Sequence, residues 1–110
     1  MLTDEVRYKL LKLLEPNPKL SQREVARELG ISLGRVNYCL RALIGKGSIK
    51  VANFKNSRNK AAYMYLLTPR GLEEKTRLTL QFLGLKMAEY EKLRVEIDQM
   101  RREAERDRVA

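Results

Sequence analysis

Arg35, Asn37, Tyr38 and Arg41 lie close together, and their side chains have donors suited to nucleic acid. Paired hydrogen bonds from Arg to guanine and from Asn to adenine are the contacts that read base edges in a duplex major groove. A second group, Lys55, Asn56, Arg58 and Lys60, falls in the stretch NFKNSRNK, which holds three cations, three amides and no acid. Residues 29–72 carry eight Lys/Arg and no Asp or Glu, whereas residues 1–28 carry six against five and residues 73–110 carry nine of each. Almost the whole net charge of +9 therefore sits in one acid-free segment. Solubility alone does not concentrate charge this way, whereas a surface that meets a polyanion does. The competing account is a solvated basic surface with ordinary loop cations.

The same composition excludes other chemistries. The chain has no histidine and one cysteine, which rules out an internal disulfide, the usual zinc sites and histidine acid–base catalysis. There is no glycine-rich phosphate loop, and the remaining acids lie beside basic partners on helices, so neither an enzyme nor a cofactor is expected. Cys39 sits at the edge of an apolar face, where a free thiol is ordinarily buried and inert. A length of 110 residues suits one domain with an appendage, and 34% charged residues mark a soluble chain. The apolar runs are far shorter than the roughly 20 residues a bilayer requires. The start, MLTDEVRYKLLKLL, lacks the pattern of a signal peptide. A cytoplasmic protein with no membrane partner is expected.

Elements must position these side chains. Thr3 can cap a first helix whose face is Val6, Leu10, Leu13 and Leu14, with Pro16 and Pro18 stopping it. Ser21 and Glu24 have capping-box spacing at the start of a short second helix that Gly30 ends. Ser32 caps a third helix, preceded by Ile31 in staple spacing with Val36. Val36, Leu40, Leu43 and Ile44 share one face of it, and Gly34, Tyr38 and Arg41 point the other way. Two short helices joined by a tight turn, the second with an outer face of Arg, Asn, Tyr and Gly, have the arrangement of a helix-turn-helix.

The period then changes to two around Ile49 and Val51, and AAYMYLLT reads as a returning strand. The loop has no glycine, but Asn56 and Asn59 tolerate left-handed backbone geometry. Three helices and a basic hairpin make a winged helix-turn-helix over 1–68, α+β and mainly α. Thr68 and Pro69 open a long last helix over 69–110, about 55 Å of chain. Leu83, Met87, Tyr90, Leu93, Ile97, Met100 and Ala104 form a narrow apolar seam with a three-residue step at Tyr90. Charge pairs Glu89/Lys92, Glu91/Arg94 and Asp98/Arg102 are expected around it. Such a seam calls for a partner helix, and a homodimer through this coiled-coil-like helix is expected. A fold-back onto the chain's own domain, or pairing with a different protein, would also cover it. Gly84 is its weak point.

On double-stranded DNA, Leu33, Gly34, Arg35, Asn37 and Tyr38 near the start of the third helix would meet base edges, with the cap Ser32 also in the DNA-binding set. Arg41 would hold a phosphate. Ser21, Gln22 and Arg23 would bring the second helix's N-terminus to the backbone. Lys55, Asn56, Arg58 and Lys60 would reach the flanking DNA. Tyr63, Tyr65 and Leu67 are expected as core and strand residues rather than a stacking platform.

The order LSQREVARELGISLGRVNYCLRALIGKGSIK, then a wing, then AYMYLLTPRGLEEK, resembles the MarR-type winged-helix transcriptional regulators, and more narrowly the exopolysaccharide-associated group of that family. The resemblance implies a dimeric regulator on a pseudo-palindromic operator. The family's usual N-terminal helix, which shares in dimerisation and lines an effector pocket, has no counterpart before Thr3. Dimerisation is therefore expected from the C-terminal helix alone, with no small-molecule pocket of the usual kind.

Overall fold

The computed structural model describes residues 2–109. The chain forms two compact units, divided between Leu78 and Thr79. The first runs beyond the 68/69 division drawn from the sequence because Leu78 is fully buried within it.

In the first unit, α1 spans Asp4–Leu14, α2 Gln22–Leu29 and α3 Leu33–Gly45, followed by β1 (Ile49–Lys55) and β2 (Ala61–Leu67). The helix starts follow the caps read from sequence. Thr3 Oγ1 accepts the Val6 N–H, Ser21 and Glu24 form a complete capping box, and Ser32 Oγ accepts the Arg35 N–H. Each cap satisfies an amide that the first helical turn leaves without a partner. Gly30 closes α2 in the left-handed region at φ 67°, where a Cβ is strained.

Three helices then share one core. Leu10, Leu11 and Leu14 of α1, Val25 of α2, and Val36, Cys39, Leu40 and Leu43 of α3 are buried, with Ile49, Tyr65 and Leu78 closing the edge. Leu11, absent from the expected apolar face of α1, is fully buried, and Leu13, expected there, is only half-buried. On so short a helix the neighbours α2 and β2 set which stripe is covered, and they cover the 10/11/14 side.

The hairpin is antiparallel, with Val51 opposite Tyr65 and Asn53 opposite Tyr63. Its turn uses the two asparagines differently from expectation. Asn59 takes the left-handed backbone at φ 58°. Asn56 instead accepts the Arg58 and Lys60 N–H groups on Oδ1, at 3.0 and 3.1 Å. Its side chain thus closes the turn.

Helix α4 spans Pro69–Val109 and contributes its first turns to this unit. Thr68 Oγ1 accepts the Gly71 N–H at 3.1 Å and donates to the Gly47 carbonyl at 2.5 Å. Gly71 is buried so tightly that a Cβ there would lie 2.1 Å from the Ser48 carbonyl oxygen. Ser48 is buried and donates to Glu74 Oε2 at 2.6 Å. Arg7 Nε lies 3.0 Å from Glu74 Oε1, near enough for an ion pair, but its N–H is not aimed along a hydrogen bond. Lys75 pairs with Glu15 and ties α4 to the end of α1.

The second unit is the rest of α4, helical through Gly84. Its seam residues Leu83, Met87, Tyr90, Leu93, Ile97, Met100 and Ala104 are all exposed. The flanking charges pair differently from two of the three expected pairs. Arg94 takes both Glu91 (2.5 Å) and Asp98 (3.2 Å), and Glu89 takes Lys86 (3.3 Å). Arg94's planar fork reaches acids one turn to either side, so Asp98 is satisfied without Arg102. No described helix is long and apolar enough to cross a membrane.

Candidate nucleic-acid interface

Burial of Val36, Cys39, Leu40 and Leu43 fixes the rotation of α3 about its axis. That rotation leaves Leu33, Gly34, Arg35, Asn37, Tyr38 and Arg41 exposed. Tyr38 is 57% exposed. Nothing in the protein lies within 4 Å of a Cβ built on Gly34, so the glycine has no packing reason to be there. At the wing, Lys55, Asn56, Arg58 and Lys60 are all exposed. All of these residues belong to the first unit.

No ion pair among the described residues involves a cation of the acid-free segment. Arg7, Lys9, Lys75, Lys86 and Arg94 each pair with a carboxylate, and all lie outside residues 29–72. Among the described residues, Arg23, Arg35, Arg41, Lys55, Arg58 and Lys60 have no carboxylate partner. Unneutralised cations on an outward helix and hairpin generate the positive field that draws phosphates.

The start of α2 is more committed than its sequence implied. The Ser21 N–H donates to Glu24 Oε1 and the Glu24 N–H to Ser21 Oγ, both at 3.2 Å. The Ser21 backbone bond, reinforced by its hydroxyl, holds the Glu24 carboxyl below the usual carboxylate range. Ser21 is thus a cap first, and Ser32 on α3 likewise spends its hydroxyl on the Arg35 N–H at 3.1 Å. Arg23 is exposed, whereas Gln22 is half-buried and bonded at both ends of its amide. Its Nε2 donates to the Tyr65 hydroxyl at 3.0 Å, and its Oε1 accepts from Asn37 Nδ2 at 3.3 Å.

Sequence reasoning missed that connection, because Gln22 and Tyr65 are 43 positions apart and no local pattern links them. It also misjudged Tyr63, which is 62% exposed while Tyr65 on the same strand face is buried. Tyr63 lies nearer the wing tip than Tyr65, on the part of the strand that the core does not cover. Lys19 stands 5.2 Å over the Phe54 ring beside this end of the hairpin.

A family model described as winged helix-turn-helix DNA-binding matches residues 3–50. No curated protein matches the sequence significantly. Staphylococcus aureus MarR, solved with salicylate and kanamycin, is similar at TM-score 0.61 and 22% identity, over 78% of this chain and 56% of its own. The PcaV regulator of Streptomyces coelicolor, solved with its natural ligand, is similar at TM-score 0.64 and 21% identity, over 90% and 72%. A MarR family protein of Mycobacterium tuberculosis, solved with p-aminosalicylic acid, is similar at TM-score 0.53 and 27% identity, over 67% and 54%. The chain thus spans little more than half the length of two of these structures.

Fold and matched model together define a winged helix-turn-helix protein with a DNA-binding fold. Within that class its fold is similar to that of the solved MarR-type regulators named above.

Proposed function

We propose that this chain acts as a homodimeric, sequence-specific regulator that binds a pseudo-palindromic operator in double-stranded DNA, in the cytoplasm. The observation that carries the reading is the set of exposed cations on α3 and the wing, in a segment without a single carboxylate. Cations on the exposed face of α3 and on the wing lack carboxylate partners, whereas five cations elsewhere in the chain have them. Helix α3 enters the major groove, with Arg35 on guanine and Asn37 on adenine. Gly34 lets the backbone approach, Tyr38 and Arg41 flank it, and Lys55, Arg58 and Lys60 hold the adjoining strand.

The exposed seam of the second unit supports pairing of two copies through Leu83 to Ala104. A two-fold dimer reads half-sites about one helical turn apart, or a multiple of that. Likeness to the exopolysaccharide-associated group makes the genes of exopolysaccharide synthesis the proposed targets. The ligands of the related structures do not enter this reading, which includes no small-molecule effector.

Selection of duplexes from a random pool tests it, followed by titration of the selected site at several salt concentrations. Log affinity is expected to fall linearly with log salt. Lys55→Ala weakens binding to every sequence and lowers that slope by about one unit. Arg35→Ala relaxes one base position by about 1–3 kcal/mol. Gly34→Ala leaves thermal stability nearly unchanged and weakens DNA binding. A salt-independent affinity, or a monomer that co-purifies with an unrelated coiled-coil protein, refutes the proposal and favours a protein-interaction module.

A further inference from the structure

The bonds from α3 through α2 to the wing form one chain of contacts. Asn37 Nδ2 donates to Gln22 Oε1 at 3.3 Å, Gln22 Nε2 donates to the Tyr65 hydroxyl at 3.0 Å, and the Tyr65 backbone N–H donates to the Pro18 carbonyl at 2.8 Å. Exposure falls along it: Asn37 is exposed, Gln22 half-buried and Tyr65 buried at 6%. The outer end faces solvent and the inner end is set in the core.

Hydrogen-bond capacity gives this chain its meaning. The Asn37 amide has two hydrogens and a carbonyl oxygen. Gln22 takes one hydrogen. The other hydrogen and the oxygen remain, and these are the donor and acceptor that an adenine edge pairs with. A surface asparagine free to rotate must be ordered on binding, which lowers affinity for the correct base by a few-fold to tenfold. An asparagine already held at its amide avoids most of that cost. Arg35, on the same face, has no such support among the described residues.

We propose that Gln22 and Tyr65 are positioning residues that hold Asn37 for base readout, so that a tyrosine in the wing strand sets sequence discrimination by the helix in the groove. The inference rests on the DNA-binding reading above. It reassigns Gln22 from a phosphate contact to a support for Asn37, and it gives the Tyr65 hydroxyl a role beyond filling the core.

The test takes the duplex selected by the wild-type chain and replaces each base pair of a half-site in turn. Binding of each duplex is measured for wild type, Asn37→Ala, Tyr65→Phe, Gln22→Met and the Asn37→Ala/Tyr65→Phe double variant. Asn37→Ala is expected to lose preference at one A·T pair by about tenfold or more. Tyr65→Phe and Gln22→Met lose preference at that same pair by about three- to tenfold, the worth of one or two hydrogen bonds. The double variant is no worse there than Asn37→Ala alone, because the support acts only through Asn37. Thermal melting checks that each variant is folded. Equal loss at every base pair would assign Tyr65 and Gln22 to the scaffold or to phosphate contact and overturn the proposal. Full retention of preference in folded Tyr65→Phe would overturn it too, with DNA binding itself intact. A wild-type chain that enriches no duplex removes the DNA-binding reading and this one with it.

Discussion

In the first unit Leu10, Leu11, Leu14 and Leu43 are fully buried, and the exposed surface of α3 and the wing is cationic and free of acids. In the second unit Leu83, Met87, Tyr90, Leu93, Ile97 and Met100 are 40–67% exposed, while the charges around them pair with one another. The first unit buries a leucine core and leaves the cations of α3 and the wing without acids beside them, whereas the second unit leaves its apolar seam uncovered. What each leaves open indicates what it meets: unpaired cations suit a polyanion, and a contiguous apolar seam suits another apolar seam.

The comparison can be broken most forcefully at the seam. Leu93→Asp with Ile97→Asp is expected to weaken self-association roughly a thousandfold, about 4 kcal/mol, by sedimentation equilibrium. Thermal unfolding of the first unit should be almost unaffected, and a change as large there as in association would mean that the units share a core. Gly71→Ala should do the opposite. Its Cβ would meet the Ser48 carbonyl, so chemical denaturation should reveal a loss of about 3 kcal/mol in the first unit.

Smaller changes sharpen the same contrast. Gly84→Ala has open space around its Cβ and should raise the helicity of the second unit, by about 1 kcal/mol in circular-dichroism melts. An effect of opposite sign would mean that a partner backbone approaches closely there. The smallest effect is in pH. Glu24 is held below the usual range by bonds from Ser21, and Glu91 by its bond from Arg94 and that residue's charge. Because both carboxyls titrate lower folded than unfolded, their contribution is complete above the unfolded value and fades as pH falls through the folded one. Carboxyl shifts followed by NMR should therefore move below the ordinary glutamate range. Added salt should return Glu91 toward that range more than Glu24, since a surface ion pair is screened more than a cap hydrogen bond.

Legibility in the sequence followed the range of the forces involved. Caps at Thr3, Ser21 and Ser32, the Gly30 stop and the strand alternation each depend on residues within four or five positions, and all were readable. The wing turn was half readable, since Asn59 behaves as its type suggests while Asn56 solves the same problem with its side chain. Exposure of Tyr63 and burial of Leu11 depend on which distant segments pack beside them, and sequence spacing is silent on that.

By itself the sequence determined where helices start and stop, where the charge excess lies and that the last helix carries a seam, because capping, charge and helical period are local properties of the chain. Only the tertiary structure decided that Gly71 must be glycine against Ser48, and that Gln22 stands between Asn37 and Tyr65. Those facts come from segments that are distant in the chain and meet only once the core has closed.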